Sequence, residues 1–269
     1  MKKYAFKIVA ICLAIFVFTP LMQVYGAEYY WYCKRNSEHR QPESDSNFTF
    51  LEEYGGVYVD KKYGDNSEEK VIYLTFDVGY ENGNVAKILD VMKEEGVSGS
   101  FFILENVINR NPDLVLRMAS ENHLVCNHTM SHKNLVGKSE EVVKKEILGL
   151  EEKYEELTGK KMAKFFRPPE GTFDENLLKT VQSLGYKTVF WSFAYADWDN
   201  KAQMSEEAAM KKIMDNLHNG EIMLLHPTSE TNAKIMKRLI VELKNQGYRF
   251  ATLDELYRKA PRMRCFSFI

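Results

Sequence analysis

From Val71 onward, apolar and polar positions follow two alternating periods. Val71-Ile72-Tyr73-Leu74-Thr75-Phe76 is a short apolar run of the kind a buried strand carries. Beyond it, Val85, Ile88, Leu89 and Met92 recur at helical spacing, which predicts a helix over Asn84–Glu95 with Gly96 as its stop. The alternation continues with strands expected at Gly99–Leu104, His123–Asn127, Lys164–Phe166, Lys187–Ser192, Glu221–Leu225 and Tyr248–Ala251. Helices are expected at Pro112–Glu121, Glu140–Leu157, Asp174–Leu184, Met204–Leu217, Ser229–Asn245 and Leu253–Arg258. Ser139 is placed to cap the longest of these and Gly159 to close it. Strands separated by helices of this length pair in parallel through crossovers. The pattern therefore predicts an α/β domain of about seven parallel strands, closed or nearly closed into a barrel, with its chemistry in the loops at the strands' C-terminal ends.

The ends of the chain read differently. Residues 1–26 place Lys2, Lys3 and Lys7 before an uncharged apolar stretch, Ile8 to Phe18, then Thr19-Pro20 and Val24-Tyr25-Gly26. That charged, apolar, small order is the layout of a secretory signal peptide, and the apolar run falls short of the roughly 20 residues a spanning helix needs. Residues 27–68 are polar and aromatic with little periodicity, as in Tyr29-Tyr30-Trp31-Tyr32, and read as an N-terminal spacer that lies over the domain or leads out from the cell surface. Residues 69–260 form the expected α/β domain and 261–269 a C-terminal tail.

Composition adds exclusions. The 269 residues are 45% hydrophobic and 28% charged, values of an ordinary globular chain. The formal net charge is −2; without the three lysines of residues 1–26, 33 basic residues face 38 acidic ones, a net −5. Such a balance offers no polyanion-binding surface, so no nucleic-acid partner is expected. Cys12 leaves with the signal, and Cys33, Cys126 and Cys265 are too few and too irregular for a disulfide framework or a Cys-x-x-Cys zinc site.

Polar residues stand at the strand exits. Asp77 follows the first strand; His128 and His132, four apart, follow the third; Arg167 opens Arg167-Pro168-Pro169-Glu170-Gly171 after the fourth; Asp197-Trp198 follows the fifth; His226 ends the sixth. Each has an ordinary reading by itself: a turn acid, surface histidines, an arginine on a stiff loop, a loop acid beside a packing aromatic, a structural histidine. Together, at the exits of different strands in one barrel, they supply the parts of a metal-assisted hydrolysis: a metal site, a carboxylate base, a histidine acid and a charge partner for each.

In this order the motifs resemble those of the NodB-homology polysaccharide deacetylases, the family-four carbohydrate esterases. The matching segments are Thr75-Phe76-Asp77-Val78-Gly79, His128-Thr129-Met130-Ser131-His132, Arg167-Pro168-Pro169-Glu170-Gly171, Asp197-Trp198 and Leu224-Leu225-His226. Gly79-Tyr80-Glu81-Asn82-Gly83 is similar to the delta-lactam-biosynthetic subgroup, which acts on muramic acid of spore cortex peptidoglycan. The resemblance implies a distorted (β/α) barrel and a secreted N-deacetylase of peptidoglycan glycan strands in the cell wall or spore envelope; no protein partner is implied, and a monomer is expected. It further implies Asp77 as general base, His226 as general acid tuned by Asp197, Arg167 holding Asp77, and His128 and His132 as ligands of a divalent metal, zinc first among candidates. Tyr80, Glu81, Asn82, Pro168, Pro169 and Trp198 are then expected to meet substrate. The family's usual third ligand is an acid where this chain has Val78, so the resemblance implies two protein ligands and weaker metal binding than in three-ligand members. Deacetylation of chitin-type N-acetylglucosamine glycans, and a non-catalytic glycan-binding role, are the rival readings.

Overall fold

The computed structural model describes residues 27–257. The expected signal peptide, the 261–269 tail and Cys265 lie outside the described residues. In chain order the elements are β1 (Tyr29–Tyr30), β2 (Cys33–Lys34), β3 (Glu43–Ser44), β4 (Lys70–Val78), α1 (Asn84–Glu94), β5 (Ser100–Ile103), α2 (Glu105–Arg110), α3 (Pro112–Ser120), β6 (Leu124–Asn127), α4 (Glu140–Thr158), β7 (Phe165–Phe166), β8 (Thr172–Phe173), α5 (Glu175–Ser183), β9 (Lys187–Thr188), α6 (Glu206–Asn216), β10 (Glu221–Leu225), α7 (Glu230–Asn245) and β11 (Tyr248–Phe250). A 3-10 helix, Leu253–Tyr257, follows where the sequence suggested a last helix. As anticipated, Ser139 caps α4, its hydroxyl accepting from the Val142 amide, and Gly159 ends it in the left-handed conformation.

Seven strands form one sheet in the order β10-β4-β5-β6-β7-β9, with β11 also on β4, and every pairing in it is parallel. Beyond β9 the chain turns back on β10: Phe193 bridges Met223 in parallel, and the Leu224 amide donates to Phe193 O at 2.8 Å. That seam brings the two edges of the sheet together, and the barrel is curled and nearly closed, as the alternation predicts. β9 itself is two residues long, shorter than the expected Lys187–Ser192, because the chain leaves β7 there to make the seam.

Strand alternation sorts the core. On β4, Ile72, Leu74, Phe76 and Val78 pack against the helices with Val85, Ile88 and Leu239, while Val71 and Tyr73 pack with Phe102, Cys126, Val189 and Ile222 on the other face. Thr75 and Asp77 continue that second face toward the strand's C-terminal end, so the polar side chains of β4 open onto the mouth of the barrel.

Residues 27–68 take the first of the two readings, lying over the domain, but they pack more deeply than a spacer. Trp31, Phe48, Leu51, Val59 and Tyr63 are buried, and β1 pairs antiparallel with β8. Trp31 stacks on Phe190 with ring centroids 4.5 Å apart and donates its indole N–H to Trp191 O at 2.9 Å. This segment is a layer of the core, and its few periodic positions reflect short strands and aromatic packing.

Candidate active site

Asp77 and Arg167 form the centre. The Arg167 guanidinium has no exposed surface; Nη1 donates to Asp77 Oδ1 at 2.7 Å, Nη2 to Thr75 Oγ1 at 2.9 Å and to Phe190 O at 3.3 Å, and Nε to Val189 O at 3.0 Å. The cation also lies over the Phe102 ring, 4.1 Å from its centroid. Burial alone would raise the pKa of Asp77, but Arg167, with His128 and His226, outweighs it and holds the carboxyl below its ordinary range. Asp77 is therefore an ionised acceptor in a largely dry site.

His128 faces the same carboxylate, with Nε2 3.6 Å from Asp77 Oδ2. Its Nδ1 is 2.9 Å from Arg167 O, so Nδ1 carries the proton and Nε2 presents a lone pair. Burial pushes this imidazole down to about 4, which keeps it neutral. His132 comes within 4.9 Å of it, centroid to centroid, because the chain between them is a tight turn: Thr129 and His132 both take positive φ, 74° and 57°. Non-glycine residues resist that conformation. Here Asn127 Oδ1 accepts from the Thr129 amide, Thr129 Oγ1 from the His132 amide, and Glu146 holds Ser131 through both its amide and its hydroxyl.

Opposite stands His226. Its Nδ1 is 2.6 Å from Asp197 Oδ1, and its backbone N–H donates to Asp197 Oδ2 at 2.8 Å. Asn232 Nδ2 donates to the same oxygen at 2.6 Å, and Tyr195 donates its hydroxyl to Asn232 Oδ1. Burial would lower the pKa of His226, but the Asp197 hydrogen bond and charge outweigh it and raise it. The two arms are poised in opposite directions: a carboxyl held ionised and an imidazole held toward its protonated form.

Between them lies a cavity of about 740 Å³. Asp77, His128, His132, His226, Tyr80 and Trp198 line it; Arg167 and Asp197 stand behind Asp77 and His226 and act through them. Four residues expected at the substrate do not line the cavity. Glu81 turns back to accept from the Gly83 amide, and Asn82 donates to Thr228 O at 2.8 Å, tying the first-motif loop to the loop after His226. Pro168 and Pro169 are buried and set the turn that delivers Glu170 and Gly171 to the cavity wall. Gly171 has φ +68°, and a Cβ there would come within 2.8 Å of the Trp191 ring, so the turn and that tryptophan fit together only with glycine.

Sequence reasoning missed Leu104, Trp191, Ala194, Tyr195, Leu224 and Thr228 as lining residues. Leu224 could have been found, since it lies two before His226 on one face of a strand, as Thr75 lies two before Asp77. Val78 is fully buried against the helices, on the face of β4 opposite Asp77. Among the described residues no group of three or more His, Cys, Asp and Glu side chains converges to hold a metal ion. The nitrogen donors fit a divalent ion as a pair of imidazoles, His128 with its free Nε2 and His132 beside it.

Residues 64–189 match the model of the polysaccharide deacetylase family. The peptidoglycan-N-acetylmuramic acid deacetylase PdaA of Bacillus subtilis is 38% identical over 227 residues, 84% of each chain. The chain belongs to the polysaccharide deacetylase family. It is a hydrolase acting on amide bonds. The solved structure of Bacillus subtilis PdaA, a family-four carbohydrate esterase, superposes with a TM-score of 0.80 at 37% identity, covering 85% of this chain and 96% of that one. A peptidoglycan-N-acetylglucosamine deacetylase of Bacillus cereus is 34% identical over 198 residues, 71% of this chain and 90% of its own.

Proposed function

We propose that this chain is a secreted, metal-dependent peptidoglycan deacetylase that removes the acetyl group from N-acetylmuramic acid residues in the cell wall or spore envelope, acting as a monomer. The observation that carries the reading is the opposed pair across one cavity, Asp77 on Arg167 and His226 on Asp197. A pure glycan-binding cleft needs no such pair.

The pair does the proton work of amide hydrolysis. Asp77, ionised, accepts a proton from the water that attacks the acetyl carbonyl. His226, protonated, donates to the departing amine nitrogen, which is a very poor leaving group without that proton. The products are acetate and a free amino sugar. Arg167 keeps Asp77 charged and directed, and Asp197 keeps the His226 ring in the tautomer and orientation that aim Nε2 into the cavity. A divalent ion held by His128 and His132, zinc by the chemistry of two imidazoles, would polarise the carbonyl and acidify the bound water. With two protein ligands we expect weaker affinity than three would give.

The muramic acid preference is supported by the likeness to PdaA and by the Gly79–Gly83 segment. The amine released there is positioned on the sugar to close onto the neighbouring lactyl carboxyl with loss of water, the delta-lactam of spore cortex. The Bacillus cereus relative supports a second reading, deacetylation of N-acetylglucosamine. Acetate release from lactyl-bearing and from plain N-acetylglucosamine strands, each with and without chelator, tests the proposal. Chelator-sensitive release favouring the lactyl-bearing strand is expected. Preference for the plain strand moves the assignment to the second reading, and no release from either returns the chain to a binding role.

A further inference from the structure

A second cavity of about 550 Å³ adjoins the first. The two have Trp191 and Ala194 as a common wall. The far side of the second is built by the N-terminal segment, with Tyr32, Arg35, Asn36 and Ser37 around its rim. A polymer of sugars with one residue at Asp77 and His226 must run on past that residue, and this cavity lies on the other side of the Trp191 and Ala194 wall.

The chemistry of its rim is specific. Tyr32 is 59% exposed, an aromatic face open to a sugar ring. Arg35 donates from Nη1 to Ala194 O at 3.1 Å, and its guanidinium lies 5.5 Å from the Phe193 ring centroid. Those contacts fix the side chain while using one of its five N–H donors. Of the seven described arginines, five pair with a carboxylate; Arg35 and Arg110 do not. The one acid on the same cavity, Asp215, is paired with Lys211 at 2.5 Å. An oriented, uncompensated guanidinium beside a sugar-sized cavity, in a chain with net negative charge, is built to receive a carboxylate.

We propose that this cavity is a neighbouring substrate subsite in which Arg35 binds a carboxylate borne by the glycan strand, either the lactyl ether of muramic acid or the stem peptide attached to it. The proposal rests on the peptidoglycan reading above and names the group that distinguishes such strands from plain chitin-type oligomers.

The test compares kcat/KM of the parent, Arg35→Ala and Arg35→Lys on three strands of equal length: muramic acid with free lactyl carboxylate, muramic acid with stem peptide, and N-acetylglucosamine alone. The ratio of carboxylate-bearing to plain substrate should fall about tenfold in Arg35→Ala, through KM, with partial recovery in Arg35→Lys. The strand showing the larger fall identifies which carboxylate is bound. An equal loss on all three strands, meaning that Arg35 only braces the Ala194 loop, overturns the proposal, and so does no loss on any. Calorimetric titration of the same strands into parent and Arg35→Ala reads the preference without turnover. A retained preference in a parent that releases no acetate would remove the deacetylase reading and leave the subsite standing. Equal binding of charged and plain strands by the parent would remove the subsite alone.

Discussion

Arg167 and Asp77 come from opposite sides of the barrel, β7 and β4, and meet as a 2.7 Å ion pair in which the arginine has no exposed surface. The same guanidinium satisfies Thr75, Val189 O and Phe190 O, so it is both the charge partner of the proposed base and the plug of the barrel mouth.

Arg167→Ala should therefore cost stability as well as activity. It leaves a buried carboxylate unpaired and two carbonyls without a donor, a loss of about 3–5 kcal/mol. Urea denaturation measures it. A loss under about 1 kcal/mol would show that water replaces the guanidinium, contrary to the dry site described.

Asp197→Asn removes the charge that raises the pKa of His226. A general acid works while protonated and fails as pH rises through its pKa. With that pKa lowered, the alkaline limb of kcat/KM should move to lower pH while the acid limb stays in place. A profile whose alkaline limb does not move would take the role of acid away from His226.

Val78→Asp tests the geometry at the family's third-ligand position. Val78 packs with the helix layer, so an aspartate there buries a charge without a partner, and a fall in stability of several kcal/mol is expected in chelator. An unchanged melting temperature would mean that the side chain reaches the cavity, contradicting its placement.

Asp77, His128 and His226 were legible because each stands at the end of a strand of four or more residues. Arg167 follows a two-residue strand and Asp197 lies nine residues beyond β9, so these two were read from the short apolar runs Phe165-Phe166 and Phe190-Trp191-Ser192, and the second is not at a strand exit. Helix α2 was not legible: six residues burying only Val107 and Ile108 give no period to read. The burial of the N-terminal layer was not legible for a related reason. Its strands are two residues long, and Trp31 and Phe48 are held by ring packing, which leaves no periodic trace. Glu81, Asn82, Pro168 and Pro169 sit in the right loops but serve the loops themselves, a distinction that depends on side-chain direction.

His123, at the opposite end of the barrel from the site, gives a prediction about folding. Its Nδ1 accepts from the Gly99 amide at 3.1 Å, and burial pushes its pKa down to about 4 from 6.5. Between those values the unfolded chain takes up a proton that the folded chain refuses, so stability falls as pH drops from about 6.5 toward 4, by up to roughly 3 kcal/mol. Thermal melts of the parent and His123→Gln at pH 7 and pH 4.5 should show the smaller acid-induced drop in the variant. Equal drops would mean that His123 is protonated in the folded state as readily as in the unfolded one.

The central claim is that Asp77 and His226 are the base and acid of an amide hydrolysis on peptidoglycan sugars. The most direct measurement is acetate released from lactyl-bearing glycan strands by the parent, Asp77→Asn and His226→Ala, with zinc supplied and folding checked by melting temperature. Release by the parent, falling by about 10²–10⁴ in each variant while both stay folded, is the predicted result. Full release by either folded variant, or none by the parent, would contradict it.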